Sequence, residues 1–460
     1  MKKKHIIKSI LAMILLLSIS STMVFAAGIS SDAGEFSDKE SKATFAEGDT
    51  LYSDEGYTLE KVVVLSRHNL RAPLSSSGSV PQELTLHNWI EWTAPSSELT
   101  LKGGMLETNM GQYFRKWYAK EGFIPENYIP EEGEFRFYAR DKQRCRATAR
   151  YFATGFDPVA DITVEHPGSP NNLEDFMEPV IHSYSDEFAD AIIDEKAQLG
   201  GEEGFEGISK QTRDAIKLIM DVVDMKDSKV YQSGKYGDLL KSRTGFKVEP
   251  GQEPDLTGAV KTVSQVVDAL ILQYYEEPDA VKAAFGHELT DEEWQTIGDF
   301  ITTYLTIKHG THLAAVDITH PLLEELESEL TNEDRKLTFF CAHDCTVMGT
   351  LAALGSDDYT LPDSLETRTP IGVKLMFDRL RDEDGKTWYH VYILYRSTDQ
   401  IRDSEELSLD NPPLRYDIVF DGIETNEDGL ISEDDLLQLF DNAIQEYDEL
   451  ETKYELKPAA

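Results

Sequence analysis

Residues 66–73, Ser-Arg-His-Asn-Leu-Arg-Ala-Pro, place one imidazole between two guanidiniums, directly after an apolar run at 62–65. Arg67 and Arg71 can each direct forked N–H donors at phosphate oxygens. A neutral His68 between them can offer a ring nitrogen as a nucleophile. The pattern therefore indicates a place where an anion is held and attacked.

A second apolar run, 337–341, leads into His343 and Asp344. Ligands in α/β sheets bind outside the carboxyl ends of strands, so two such strand ends favour one shared site. A carboxyl such as Asp344 beside a bound phosphate is kept protonated by the like charge, which raises its pKa. It can then protonate a leaving alkoxide and later take a proton from water. Asp344 also starts a helix-like segment, so an N-cap role is compatible with the acid role.

Arg144 is a third candidate guanidinium, between a strand-like segment at 135–138 and a helix-like segment at 147–153. Phosphate charge must be neutralised before a nucleophile approaches, and guanidiniums can do this without a metal. Residue type alone leaves the choice open, because other arginines crowd the same stretch: Arg136, Arg140, Arg146 and Arg150.

The pattern Arg-His-x-x-Arg-x-Pro, followed late in the chain by His-Asp, resembles the histidine acid phosphatases, in the branch with a large helical cap. Residues 67–74, RHNLRAPL, are most similar to the bacterial glucose-1-phosphatases of that family. Further segments resemble them too: 252–254 (QEP), 273–276 (QYYE), 368–372 (RTPIG) and 400–402 (QIR). The resemblance runs from about Gly56 to the C-terminus.

This resemblance implies a role for each site residue. His68 would be the nucleophile and Asp344 the proton donor. The phosphate-binding residues would be Arg67, Arg71, Arg144 and His343. Asn69, which stands where the wider family has glycine, and Glu253 are assigned to the substrate pocket, although most of the 85 acidic residues must simply be solvated. No metal and no cofactor are expected.

Periodicity divides the chain into a sheet-forming part and a helical part. Strand-like runs gather at its two ends: 61–65, 135–139, 337–341, 371–377, 389–395 and 416–420. Helix-like periodicity fills the middle: 101–120, 210–225, 262–275, 292–308 and 311–327. An α/β fold follows, with a mixed-sheet core sandwiched by helices and an inserted, mostly helical cap domain.

The predicted phosphatase domain spans 56–460, with the site in the cleft between its two lobes. The α/β core is placed at about 56–85, 133–165 and 335–460. The helical cap is placed at about 86–132 and 166–334.

The N-terminus is typical of an export signal. Residues 1–26 combine a basic start, an apolar run at 10–19 and small residues at the cleavage position, and are predicted to be a signal peptide. Residues 27–55 are predicted to be a flexible acidic leader. We therefore expect a periplasmic or extracellular protein without a membrane anchor after cleavage.

The charge of the chain limits its partners. It has 85 Asp and Glu against 44 Lys and Arg, for a formal net charge of −41. Removing residues 1–26 takes away four Lys and no acid, which makes the charge −45. Such a chain repels nucleic acid and anionic membranes. The expected partners are small-molecule phosphate esters held in a locally basic pocket; the oligomeric state is left open.

Three cysteines, Cys145, Cys341 and Cys345, give no disulfide framework for an exported protein. Buried reduced thiols are predicted, with a Cys145–Cys345 bridge as the alternative. The spacing of the cysteines fits no usual zinc pattern.

Residues 424–435 resemble an EF-hand loop, but they begin with Glu, end with Asp and follow a strand-like run. A turn ending at Gly429 and a capping box from Ser432 to Asp435 account for the same residues. Calcium binding is therefore disfavoured.

The leading hypothesis is an exported, metal-independent phosphomonoesterase with a phosphohistidine intermediate. Sugar phosphates are the favoured substrates, glucose 1-phosphate first, and inositol polyphosphates, the substrates of phytases, are the alternative. From another class, a non-catalytic phosphate-ligand-binding surface protein would need the cations but neither His68 nor Asp344. A calcium-binding acidic surface protein is a further alternative.

Overall fold

The computed structural model describes residues 51–74, 80–168 and 175–459. Its strands are β1 (Thr58–Arg67), β2 (Phe135–Ala139), β3 (Val164–Glu165), β4 (Ser183–Tyr184), β5 (Gly245–Lys247), β6 (Asp255–Thr257), β7 (Leu337–Ala342), β8 (Lys374–Arg381), β9 (Thr387–Tyr395), β10 (Leu414–Asp417), β11 (Ile431–Ser432) and β12 (Lys457–Pro458). Its α-helices are α1 (Val80–Glu83), α2 (Leu101–Glu121), α3 (Gln143–Phe156), α4 (Asp186–Gln198), α5 (Phe205–Gln211), α6 (Arg213–Val222), α7 (Lys229–Gln232), α8 (Ala259–Glu276), α9 (Ala280–Ala283), α10 (Asp291–His309), α11 (His312–Thr331), α12 (Asp344–Ala353), α13 (Thr398–Arg402) and α14 (Glu433–Lys453).

An eight-stranded mixed sheet forms the centre, in the order β10-β9-β8-β1-β7-β2-β3, with β11 paired to β9. Strands β1, β7 and β2 are parallel, whereas β8 and β9 join antiparallel. Arg67, the last residue of β1, lies in register with Ala342, the last residue of β7. The segments that follow these two strands therefore leave the sheet side by side, at its carboxyl edge.

Strand β1 is a run of apolar residues because helices cover both faces of the sheet. Val63 and Leu65 face one layer, in which α11, α12 and α14 contribute to the apolar cluster. Val62 and Val64 face the other layer, which α2 and α3 fill. This arrangement confirms the predicted α/β fold class, in which helices sandwich a mixed sheet.

A third apolar cluster lies in the helical region between β2 and β7. Helices α6, α8 and α10 form it, and it also takes in Leu70 of the loop after β1 and Ile371 before β8. Two helices inside the predicted cap segments 86–132 and 166–334, however, pack on the sheet. They are α2 and α11, whose buried apolar side chains belong to the two sheet layers. The remaining boundaries between core and cap stay a prediction.

The predicted leader does not extend to residue 55. Leu51 and Tyr52 are only 7% and 5% exposed and belong to the core. The Tyr52 hydroxyl donates a hydrogen bond to Asp378 Oδ2 at 2.8 Å. Residues 1–50, which include the predicted signal peptide and most of the leader, lie outside the described residues. Within the described ranges, none of the helices has the length and apolarity that a bilayer span requires.

The EF-hand-like segment forms the turn that the sequence favours and one half of the predicted capping box, the bond to the Ser432 side chain. Asn426 Oδ1 accepts from the backbone N–H groups of Asp428 and Leu430. Ser432 is the N-cap of α14, and its Oγ accepts from the Asp435 N–H at 3.2 Å.

Candidate active site

The loops after β1 and β7 open into a cavity of about 1060 Å³. Cap segments close its other side, among them α8, the C-terminal half of α10 and residues 251–255. The sequence-predicted residues that line it are Arg67, His68, Arg71, Arg144, Glu253, His343 and Asp344. The structure thus brings together every predicted site residue except Asn69.

His68 follows β1 directly and is only 2% exposed. Its backbone N–H donates to Ala342 O at 2.9 Å, which ties the two strand ends together. Its Nδ1 lies 2.9 Å from Asn69 O. Because a carbonyl oxygen can only accept, Nδ1 carries the hydrogen and Nε2 keeps a free lone pair. The imidazole is thereby oriented as a nucleophile.

The environment of His68 also keeps the ring neutral. Burial lowers its pKa most, followed by the charges of Arg144, His343, Arg71 and Arg67, so that the pKa lies well below the usual range. A protonated imidazole has no lone pair at Nε2. The depressed pKa therefore preserves nucleophilic character in acid.

His343 follows β7 and lies edge-on to His68, with the ring centroids 5.4 Å apart. On one side, its Nδ1 is 3.8 Å from Cys145 Sγ. On the other, its Nε2 is buried and has no hydrogen-bond partner among the described residues. Buried polar atoms are rarely left unpaired. This nitrogen is therefore available to a bound anion.

Two of the predicted guanidiniums are held by acids. Arg67 donates to Glu366 Oε1 at 2.6 Å and to the Thr369 carbonyl, and its other terminal nitrogen is 3.1 Å from Asp344 Oδ2. Burial alone would lower the pKa of Arg67, but the two carboxylates raise it overall. Arg71 forms a fork with Asp268 on α8, at 2.7 and 3.2 Å.

The structure separates Arg144 from the arginines around it. Arg136 pairs with Glu325 and Glu329, Arg140 with Asp175 and Glu178, and Arg146 with Asp141, while Arg150 lies over the ring of Tyr151. In the first turn of α3, Arg144 donates instead to the Ser97 carbonyl at 3.5 Å. It lines the cavity, and its buried Nε has no hydrogen-bond partner among the described residues. Its charge can therefore serve a ligand.

Asp344 is the first residue of α12, while His343 occupies the N-cap position without a side-chain capping bond. The N-cap expectation for Asp344 is therefore off by one residue, although its Oδ1 accepts from the Cys345 N–H at 2.7 Å. Burial raises the pKa of Asp344. Arg67, His343 and this N–H lower the pKa by more than burial raises it, so that the net shift is downward. The negative charge of a bound phosphate opposes that lowering.

Asn69 does not line the cavity, in contrast to its predicted place in the substrate pocket. Its Nδ2 donates to Glu107 Oε2 at 2.7 Å, and its Oδ1 accepts from the Leu70 N–H. Glu107 in turn pairs with Lys374 at 2.9 Å, and both side chains are fully buried. Asn69 thus fixes the loop that carries His68.

Glu253 does line the cavity, and its carboxylate lies within 4.8 Å of Cys345 Sγ. Its Oε1 lies 2.7 Å from Lys308 Nζ and 3.2 Å from His309 Nε2. Burial raises the pKa of Glu253, but these two groups lower it overall, below its usual range.

The three cysteines are free and buried, as the sequence analysis favoured, and the alternative Cys145–Cys345 bridge is not formed.

Comparison with known proteins identifies the family. A model of the histidine phosphatase superfamily (branch 2) matches residues 58–201. The chain is also 32% identical over 399 residues to a glucose-1-phosphatase of Salmonella typhimurium, which covers 85% of this chain and 92% of the relative. The chain belongs to the histidine phosphatase superfamily.

Other relatives of this histidine phosphatase are phosphatases as well. A glucose-1-phosphatase of Providencia rettgeri is 30% identical over 394 residues, covering 84% of this chain and 92% of the relative. A phytase of Escherichia coli is 25% identical over 396 residues, covering 81% and 89%. The predicted family and enzyme class, a phosphomonoesterase, are thereby confirmed.

A solved phytase structure from Hafnia alvei shares the fold. It superposes with a TM-score of 0.76 at 23% identity, covering 85% of this chain and 98% of that one.

Two residues that contact the predicted guanidiniums escaped the sequence analysis of this phosphatase. Glu366 and Asp268 both line the cavity, and they orient Arg67 and Arg71. Glu366 lies two residues before the 368–372 motif, which was a usable signal. Asp268 is one of 85 acidic residues in the chain and belongs to none of the recognised motifs, so the sequence carried no signal for it.

Proposed function

We propose that this phosphatase hydrolyses sugar monophosphates, glucose 1-phosphate first, through a phosphohistidine at His68. One observation carries the proposal: a buried, neutral imidazole with Nδ1–H bound to a carbonyl, so that Nε2 faces a cavity rich in cationic donors. Two glucose-1-phosphatases among the relatives support the substrate class.

In the first step, Nε2 of His68 attacks phosphorus and forms an N–P bond. The P–O bond to the sugar breaks, and its electron pair stays on the leaving oxygen. Asp344 donates a proton to that oxygen, so that the product is a neutral alcohol. A protonated Asp344 is required, and the charge of the bound phosphate favours that state.

In the second step, water attacks the phosphohistidine. Asp344, now a carboxylate, takes a proton from the water as the new O–P bond forms. The N–P bond breaks and returns the electron pair to Nε2 of His68. Inorganic phosphate leaves, and both side chains have regained their starting protonation states.

The phosphate oxygens are bound by Arg67, Arg71, Arg144 and His343. Arg67 and Arg71 are already oriented by Glu366 and Asp268, so they need little reorganisation when charge develops, and each keeps a buried Nε–H without a hydrogen-bond partner among the described residues. His343 and Arg144 contribute donors that are not committed to acids. This set serves one phosphoryl group.

The remainder of the cavity wall favours a substrate with a single phosphate. Its cations are already paired with acids: Lys235 with Glu83, Lys261 with Asp255, Lys308 with Glu253, and Arg140 with Asp175 and Glu178. Lys142 is an additional, exposed cation that lines the cavity. Carboxylates accept hydrogen bonds from sugar hydroxyls, whereas six phosphates would require many unpaired cations.

The E. coli phytase relative keeps inositol polyphosphates as the second candidate. If inositol polyphosphates are the substrates, His68 attacks phosphorus in the same way. The ion pairs of the cap must then open, so that their lysines can bind the additional phosphates.

We also propose that the enzyme is exported, by cleavage of the signal peptide predicted at 1–26. Mass spectrometry of the protein secreted by a host cell should find the mature N-terminus near residue 27. A full-length chain that stays in the cytoplasm would contradict export.

The substrate proposal is tested by phosphate release at mildly acidic pH from glucose 1-phosphate, phytate and 4-nitrophenyl phosphate. We expect the highest kcat/KM on glucose 1-phosphate, and a loss of at least about 10³-fold in His68→Ala on every ester. His166→Ala, at a histidine outside the cavity, is the matched control and should keep full activity. A higher kcat/KM on phytate than on glucose 1-phosphate would show that inositol phosphates are the preferred substrates. Equal kcat/KM values on all three esters would refute a preference for sugar phosphates.

A further inference from the structure

Three residues of the helical region between β1 and β7 bring ligand atoms together outside the catalytic cavity. Nε2 of His87 lies 2.7 Å from Asp224 Oδ2, and Nε2 of His287 lies 3.4 Å from the same oxygen. All three ligand atoms lie within 4.8 Å of one another. Sequence spacing gave no signal for them, because Asp224 is 137 residues from His87 and 63 from His287.

Each ligand residue comes from a different loop. His87 lies between α1 and α2, Asp224 follows α6, and His287 follows α9. Asp224 has a left-handed backbone (φ 48°) and stands before a 3-10 turn, where an aspartate ordinarily caps the helix. Its side chain makes no capping bond there and contacts the two imidazoles instead.

Neighbouring side chains hold these loops in place. The ring of Phe285 stacks on that of His87, with centroids 4.8 Å apart and planes at 7°. The Thr85 hydroxyl donates to Val223 O at 2.7 Å and accepts from the His87 N–H at 3.1 Å. The loop with His87 is thus bonded to the loop with Asp224, and the imidazole is oriented by packing.

We propose that His87, Asp224 and His287 form a binding site for a divalent transition-metal ion, with Zn²⁺ favoured. Imidazole nitrogens and a carboxylate oxygen are zinc ligands, with bonds of about 2.0–2.2 Å. Tetrahedral ligands at that distance are about 3.4 Å apart, which is the His287–Asp224 separation; the His87–Asp224 contact must open by about 0.7 Å.

The exposure of the ligands suits this site. The side chains of His87, Asp224 and His287 are 30%, 40% and 39% exposed, so an ion can enter and water can fill the fourth position. The bound ion links three loops that the chain otherwise connects only through hydrogen bonds and packing. Mg²⁺ prefers oxygen ligands and is not expected to bind.

A second set of ligand types, Glu253, His309 and Cys345, lies in the catalytic cavity. There, Lys308 Nζ is 2.7 Å from Glu253 Oε1 and already supplies the positive charge that a metal ion would bring. This set differs chemically from the proposed site because it contains a thiol. A spectroscopic probe can therefore distinguish the two.

The test uses the whole protein, treated with a chelator and then titrated with Zn²⁺ by calorimetry in phosphate-free buffer. We expect one Zn²⁺ site that is weakened at least about tenfold in His87→Ala and in His287→Ala. His166→Ala, which removes a histidine from a pair with one aspartate only, is the matched control and should bind Zn²⁺ as the wild type does. All variants should keep phosphatase activity, because the site lies outside the catalytic cavity.

A second measurement needs no variant. Co²⁺ bound to the wild type should give the visible absorption of a tetrahedral ion without a thiolate-to-cobalt charge-transfer band. Absence of Zn²⁺ binding, or equal binding by wild type, His87→Ala and His287→Ala, would overturn the proposal. A thiolate band that accounts for all bound Co²⁺ would also overturn it, since it would place the ion at Cys345.

Discussion

At the scale of single residues, the proposed chemistry depends on His68 and Asp344, whose protonation states are set by their surroundings. His68 is neutral because burial and nearby positive charges lower its pKa. Asp344 is drawn toward the ionised form because Arg67 and His343 outweigh the effect of burial on its pKa. A general acid must be protonated at the moment of bond cleavage, so substrate phosphate is part of the acid's environment.

The depressed pKa of His68 predicts activity in acid. A histidine with a pKa near 6.5 would lose its lone pair below that pH, whereas this one stays neutral well below it. We expect the acidic limb of kcat, measured at saturating glucose 1-phosphate, to lie well below pH 6.5. Removing the Arg144 charge should raise the pKa of His68, so Arg144→Met should move this limb to higher pH. A limb at pH 6.5 that does not move in Arg144→Met would show that the surroundings of His68 do not lower its pKa.

The acid role of Asp344 predicts a dependence on the leaving group. In Asp344→Asn, kcat/KM for glucose 1-phosphate should fall about 10²–10⁴-fold, because a basic alkoxide must leave without a proton. The loss on 4-nitrophenyl phosphate should be much smaller, since that phenolate is a good leaving group. Equal losses on both esters would show that Asp344 serves only to position Arg67.

At the scale of elements, parallel pairing of β1 and β7 is what joins the two halves of the site. The loop after β1 is also fixed from behind by α2, whose Gly103 faces it closely. A Cβ at that position would lie 2.2 Å from Leu70 O, so only glycine allows this approach. Beside it, the buried Lys374–Glu107 pair reaches Asn69 and supports the same loop.

This buried pair predicts a stability effect. Lys374→Met leaves Glu107 charged and unpaired in the core, which should cost about 3–5 kcal/mol of unfolding free energy. The double variant Lys374→Met/Glu107→Gln should be less destabilised, because the glutamine is neutral and its amide oxygen can still accept from Asn69. Urea unfolding followed by circular dichroism measures both. A double variant that is as unstable as Lys374→Met would refute the unpaired-charge explanation.

Sequence patterns located most elements near the site. Strand β2 matched its predicted bounds, and β1 and β7 contain the predicted runs, because a sheet covered on both faces requires continuous apolar residues. The predicted helix at 210–225 is instead two helices, α5 and α6, separated at Thr212. Helix α14 was not predicted as a whole, although its cap at Ser432 was.

Side-chain partners were harder to predict than elements. Arg67 and Arg71 were found from local spacing, but the acids that orient them come from distant parts of the chain. Asn69 was assigned to the pocket from the family resemblance, yet its side chain hydrogen-bonds to Glu107 instead. Such contacts depend on tertiary packing, which a single sequence does not display.

At the scale of the whole molecule, a strongly acidic chain has a cavity in which several cationic hydrogen-bond donors lie together. Its net charge of −41 would repel an anionic substrate, and the donors at the carboxyl edge of the sheet overcome this locally. The cap wall, with its paired lysines, then limits how much further negative charge the cavity accepts. In the proposed mechanism, residues at the edge of the sheet catalyse the reaction and residues of the cap select the substrate.

The position of the phosphoryl group during turnover tests directly whether His68 is the nucleophile. Wild-type enzyme mixed with excess glucose 1-phosphate would be stopped in alkali, in which phosphohistidine survives, then digested and mapped by mass spectrometry. We expect a phosphoryl group on His68. Turnover with phosphate on another residue, or on none, would contradict a mechanism in which His68 is the nucleophile.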